Sequence, residues 1–248
     1  MSKDARWIVK LGLALVAASA LLYGMHYLIF NDAHHIFIYL VGDIAFVPIE
    51  VLMVTLILHR LLEVREKQAM MEKLNMVIGA FYSEVGRPLI EMLVPFDSDI
   101  ETLREHMCFQ QGWDAKRFAV ARKAITALPQ HVDASQGDLA ELRDFLHSRR
   151  DFTLALLANP NLLEHESFTG LLWSVLHLEE ELMARDAFDQ LPSSDIVHLS
   201  GDIQRVYHNV LADWTSYLGH LSAAYPYLYS LAVRQNPLVE DRSVEVLT

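Results

Sequence analysis

The chain opens with two long apolar runs and then changes rhythm. Residues 11–30 carry no charged side chain, and a helix of that length, rising about 1.5 Å per residue, just crosses a hydrocarbon core of about 30 Å. Residues 36–58 form a second run, with Asp43 and Glu50 as its only charges. The five intervening residues, 31–35, suffice only for a tight connection. The pattern therefore predicts two antiparallel spans, about 11–30 and 36–58, forming a hairpin over residues 1–60.

Beyond position 60 the apolar positions recur with helical period. Met70, Leu74, Val77, Phe81 and Val85 fall three or four apart, which predicts that the second span continues as one helix until Gly86 and Pro88 stop it. Ser98 and Glu101 make a capping-box pattern for a short helix through Met107. Helices are expected at about 114–128 and 137–158, ending before Pro129 and Pro160, because the residue before proline avoids the α region. Phe168, Leu171, Leu172, Val175 and Leu182 mark the next helix. A last long helix, capped by Ser193 or Ser194, carries Ile196, Leu199, Ile203, Val206, Val210, Trp214, Tyr217 and Leu221 on one face. Pro226 should kink or restart it and Asn236-Pro237 should end it. Residues 238–248 read as a loose tail. No segment alternates with the period of a strand. The expected fold is all-α: a two-span transmembrane helical hairpin followed by a cytoplasmic helical bundle over residues 61–237.

Composition sharpens this reading. Hydrophobic residues are 52% of the 248-residue chain although 21% of residues are charged, which excludes a disordered chain. The net charge is −12, while residues 1–60 hold four acids and four bases, so the whole excess lies in the bundle. That balance argues against nucleic acid as a partner. Cys108 is the lone cysteine, which excludes a disulfide framework and any multi-cysteine metal site, and it is expected to be a buried thiol. Lys3, Arg6 and Lys10 precede the first span, Arg60, Arg65 and Lys67 follow the second, and the connection has no lysine or arginine. By the positive-inside rule both termini are cytoplasmic, in a cell inner membrane. Ala18-Ser19-Ala20 after a basic start resembles a secretory cleavage site, but the apolar run continues ten residues past Ala20, longer than the core of such a signal.

Asp43 and Glu50 are the chemically notable residues of the hairpin. They lie roughly 10 and 21 Å below the outer boundary, and a separation of seven residues sets both on one helical face. A carboxyl group at mid-bilayer costs on the order of 2.5–3.5 kcal/mol, so that face must meet another helix, water or a partner. Pro48 removes one backbone hydrogen bond and Gly42 adds a flexible point, making these two residues a candidate gate. Hairpin geometry brings Tyr23 or His26 to the depth of Asp43, and Ser19 near Glu50, as polar partners. In one reading the acids are polar glue between helices, helped by the small residues Ala17, Ala20 and Gly24. In the other, copies of the second span surround an axis and the acids line a cation or proton pathway. Conduction requires a homo-oligomer, since two spans cannot enclose a pore.

The remaining candidates are weaker. His34 and His35 beside Asp32 fit an interfacial loop better than a metal site. Asp195, His198 and Asp202 share a helical face, and His177 precedes Glu181 by one turn. No glutamate has a histidine three residues later, as a ferritin-type di-iron bundle needs, so a solvated role is expected and no metal or cofactor is assigned. The run Glu179-Glu180-Glu181 is expected to be solvated as well. Trp214, Tyr217, Tyr225, Tyr227 and Tyr229 are read as core or subunit contacts. The common nucleotide-binding, zinc-protease and serine-hydrolase motifs are absent, so no enzyme is proposed. The leading expectation is a homo-oligomeric cation- or proton-conducting membrane protein lined by Asp43 and Glu50. The alternative is a membrane-anchored interaction or signalling protein whose helical domain binds a partner. A third, weaker option is an enzyme or metal protein using the Asp195, His198 and Asp202 face.

Overall fold

The computed structural model describes residues 3–128, 131–160, 162, 165–239 and 242. Every regular element among them is helical, and the nearest approach to a sheet is a single bridge between Asp97 and Val132. The chain divides into two units, 1–67 and 68–248.

The first unit holds α1 (Lys3–Phe30) and the start of α2 (Ala33–Phe81). Only Asn31 and Asp32 separate the helices, so the connection is shorter than the five residues expected. Asn31 takes a left-handed conformation (φ 54°), and the Asp32 carboxylate accepts from the His35 amide at 3.1 Å. An αL residue ends one helix and an aspartate side chain caps the next, which draws His34 and His35 into the first turn of α2. No residue of this unit whose exposure is defined is buried. Both helices are long and apolar enough to cross a bilayer.

In the second unit the expected stop at Gly86 and Pro88 is absent. The helix passes through a π turn (Tyr82–Gly86), where the Arg87 amide bonds to the Tyr82 carbonyl, and enters α3 (Arg87–Leu93). Pro88 sits in the first turn of α3, where its missing N–H costs least. A 3₁₀ turn (Val94–Phe96) leads to α4 (Ile100–His106). The capping box expected there does not form: Ser98 donates instead to the His131 carbonyl at 3.0 Å, and Glu101 pairs with Arg104 at 2.5 Å.

Aspartates begin the next two helices. Asp114 accepts from the Arg117 amide before α5 (Ala115–Ala127), and Asp138 from the Glu141 amide before α6 (Leu139–Ser148). The single helix expected over 137–158 is two, because Arg149 leaves helical geometry and α7 (Arg150–Leu157) follows at an angle. Then come α8 (Glu166–Met183), α9 (Ser193–Ala224) and α10 (Pro226–Arg234). Pro192, and neither Ser193 nor Ser194, takes the cap position of α9, and Pro226 restarts the chain as α10.

Helix α9 is the centre of the unit, packing against α3, α5, α8 and α10. Its face of Leu199, Ile203, Val206, Val210, Trp214 and Leu221 is buried, with Leu171, Leu172, Val175 and Leu182 of α8 in the same core. Packing continues past α10: Asn236 is buried, and so is Leu238, the first residue of the expected tail. Pro129 and most of that tail lie outside the described residues.

Candidate functional site

The sequence points to the hairpin, so its geometry comes first. Ser19, Tyr23 and His26 of α1 line one groove with His35, Tyr39 and Asp43 of α2. Asp43 thus shares a groove with Tyr23 and His26, expected at its depth, and with Ser19, expected near Glu50. The His26 and His35 rings stack at 5.8 Å, and the His26 Nδ1 atom is buried without a hydrogen bond. Glu50 does not line this groove. Among the described residues neither Asp43 nor Glu50 has a hydrogen bond or ion pair, and both are exposed. Pro48 lies within unbroken α2, and Gly42 has open space where a Cβ would stand.

The second unit holds a tighter constellation. One turn of α8 presents His177 and Glu181, and one turn of α9 presents His198 and Asp202. Each pair is four residues apart, the spacing that places two side chains on one helical face. Because α8 and α9 pack along their lengths, the two faces meet. His177 Nε2 lies 3.6 Å from Asp202 Oδ2 and 4.0 Å from Glu181 Oε1. His198 Nε2 lies 3.4 Å from Asp202 Oδ2 and 3.4 Å from Glu181 Oε2.

Asp202 is 3% exposed, and its Oδ2 is buried without a hydrogen-bond partner. Its other oxygen accepts from Arg205 at 2.6 Å. Arg185 forks between Asp195, at 2.6 and 2.8 Å, and Glu181, at 3.0 Å. Hydrogen bonds from that guanidinium hold the Glu181 and Asp195 carboxyls below the ordinary carboxylate range, so both are charged at neutral pH. Donor atoms of His177, Glu181 and Asp202 all lie within 4.8 Å of one another, the arrangement that one cation could share.

The expected face of Asp195, His198 and Asp202 is therefore split. Asp195 belongs to Arg185, and its place is taken by residues of α8. The pattern His-x-x-x-acid occurs at 177–181 and 198–202, but also at 59–63 and 147–151, so the sequence alone does not single out this pair. The pattern differs from Glu-x-x-His in that the acid follows the histidine, by four residues.

Two further expectations change. Glu179 is 3% exposed and pairs with His147 at 3.0 Å and with Arg150, so the glutamate run is not a solvated face. Successive helical residues point about 100° apart, which sends Glu179, Glu180 and Glu181 to different surroundings. Cys108 is exposed, not a buried thiol. The aromatic end of α9 divides as well: Trp214 and Tyr229 are core residues, while Tyr225 and Tyr227 face outward.

Comparison with known proteins gives a family. Residues 70–234 match the family described as "Uncharacterized protein MJ1433, C-terminal helical domain", and residues 2–62 match "MJ1433, N-terminal helical domain". The uncharacterized protein MJ1433 of Methanocaldococcus jannaschii is 41% identical over 241 residues, covering 97% of this chain and 96% of that protein. No solved structure matches. Matched in both of its helical parts and over nearly its full length, this chain belongs to the MJ1433 family.

Proposed function

We propose that this protein is anchored in the inner membrane by a helical hairpin and that its second unit works in the cytoplasm as a binding and signalling module. One observation carries the reading: the first unit leaves its apolar side chains uncovered while the second buries a continuous core. Burying one Leu, Ile or Phe side chain is worth about 1.5–3 kcal/mol. Dozens of such side chains exposed to water would not be sustained, so lipid is the surrounding that fits them. The basic residues Lys3, Arg6, Lys10, Arg60, Arg65 and Lys67 favour cytoplasmic ends.

Conduction is the second reading, and Glu50 favours it. A carboxyl at that depth without a partner in its own chain calls for a second copy or a water-filled path. Asp43 favours the anchor, since it shares a groove with Ser19, Tyr23 and His26 inside one hairpin, polar side chains of the kind that join helices within a bilayer.

The lone, exposed Cys108 is a built-in reporter of topology. A membrane-impermeant maleimide should label it in inside-out vesicles and not in right-side-out vesicles. The protein should also stay with the membrane through an alkaline carbonate wash. Labelling from the outer face, or release into the wash, overturns the reading.

A further inference from the structure

We propose that His177, Glu181, His198 and Asp202 bind one divalent transition-metal ion, zinc being the best match, and that the ion ties α8 to α9. This does not depend on the membrane reading.

The distances carry the choice of metal. Zinc bonds of about 2.0–2.2 Å to imidazole nitrogen and carboxylate oxygen place the corners of a tetrahedral shell roughly 3.4 Å apart. Asp202 Oδ2 lies 3.4 Å from His198 Nε2 and 3.6 Å from His177 Nε2, while Glu181 faces the two rings with different oxygens, Oε2 to His198 at 3.4 Å and Oε1 to His177 at 4.0 Å. His177, Glu181 and Asp202 already offer three donor atoms within 4.8 Å of one another, and the exposed His198 ring, turned toward the same point, supplies the fourth. Two nitrogens with two oxygens form a set of borderline softness that suits zinc better than calcium or magnesium, which prefer oxygen alone.

The buried Oδ2 of Asp202, which accepts no hydrogen bond, is a second observation that points to a ligand. An acceptor shut away from water without a hydrogen bond is destabilising, and this one has the two imidazole Nε2 atoms at 3.4 and 3.6 Å. A bound cation removes that cost. The surrounding contacts are those of a supported site, in which the coordinating carboxylates are themselves hydrogen-bonded. Arg205 holds the outer oxygen of Asp202 and turns Oδ2 inward, while Arg185 fixes Glu181. Three carboxylates, Glu181, Asp195 and Asp202, stand against two guanidiniums, leaving one net negative charge to attract the ion. His177 and His198 are about half exposed, so an ion can enter from solution.

The test uses the untagged full-length protein in detergent, stripped with a chelator and titrated with zinc alone. Calorimetry and elemental analysis should give one ion per chain. His177→Ala and His198→Ala should each weaken binding by more than about tenfold, and the double variant should lose the site while its circular dichroism is unchanged. Cobalt(II) should give the visible absorption of a tetrahedral centre in the native protein and none in the double variant. Should the alanine variants aggregate, Asp202→Asn keeps the side-chain shape and should show the same loss. No zinc bound by the native protein, or equal binding by the double variant, overturns the proposal.

Discussion

The hydroxyl of Tyr82 donates to the main-chain carbonyl of Val210, 3.0 Å away, from inside the π turn. The same ring lies 4.8 Å from that of Trp214 and stacks on Tyr217 at 5.4 Å, so one residue joins the turn to the middle of α9. Gly86 makes this possible by close approach, since a Cβ there would stand 2.3 Å from Cδ1 of Tyr82.

Tyr82→Phe keeps the ring contacts and loses one hydrogen bond, which should cost about 1 kcal/mol. Gly86→Ala should cost more, about 1–3 kcal/mol, because the overpacked ring must shift. Its backbone is ordinary αR, φ −62°, where alanine alone would stabilise a helix. Thermal melting followed by circular dichroism in detergent gives the order of the two variants. Gly86→Ala melting at or above Tyr82→Phe would show that the ring contact is not what requires glycine.

Asp213 is 6% exposed and accepts from Ser167 at 2.9 Å, and burial raises its carboxyl above the usual range. A carboxyl whose folded value exceeds its unfolded value of about 3.9 adds stability below that value. The contribution is lost as pH rises through the folded value, when a charge must be held in the core. Asp213→Asn keeps an acceptor for Ser167 and removes the charge. It should raise the melting temperature at about pH 7–8, where the unfolded carboxyl is ionised, and have little effect below about pH 4. A variant less stable than the native protein at neutral pH would mean that the charge itself has a stabilising partner.

How much of this was legible in the sequence depended on distance along the chain. The face of α9 from Ile196 to Leu221 is written in spacings of three and four, and its residues are buried or half-buried. The bend at Arg149 is not written that way: its flanks, Ser148 and Arg150, are ordinary helix residues. The break goes with tertiary contacts, Arg150 reaching Glu179 and Glu180 on α8. The meeting of His177 with Asp202 was also hidden, because it depends on how two helices are rotated against each other. Each half reads alone as a solvated turn. The Asp43 groove was legible, since a tight connection fixes which residues of α1 and α2 share a depth.

Asn236 closes the domain from its far end. Its Nδ2 donates to the buried Met107 carbonyl at 2.8 Å, and its Oδ1 accepts from the Leu238 amide at 3.2 Å. Asn236→Ala strands both backbone groups and should cost about 1–3 kcal/mol. Asn236→Asp retains the acceptor but turns an oxygen toward the Met107 carbonyl, so it should be no better than alanine at neutral pH and should recover as its carboxyl is protonated. Equal stability of the native protein and Asn236→Ala would place the anchor elsewhere.

Glu50 and Asp43 make different demands on the bilayer and should separate by mutation. Asp43 shares a groove with Ser19, Tyr23 and His26 of its own hairpin, whereas Glu50 does not line it. If copies associate so as to cover Glu50, polar contact across helices contributes about 0.6–2 kcal/mol per copy. Glu50→Leu removes both the contact and the penalty that drives it, so the full-length protein in detergent should shift toward monomer, with association weakened by roughly tenfold or about 1.4 kcal/mol. Asp43→Asn should leave the oligomer distribution unchanged. Analytical ultracentrifugation reads both. Cation uptake by proteoliposomes that is present in the native protein and lost in Glu50→Gln would instead favour conduction. A distribution that neither variant moves would mean that α2 is not where copies meet.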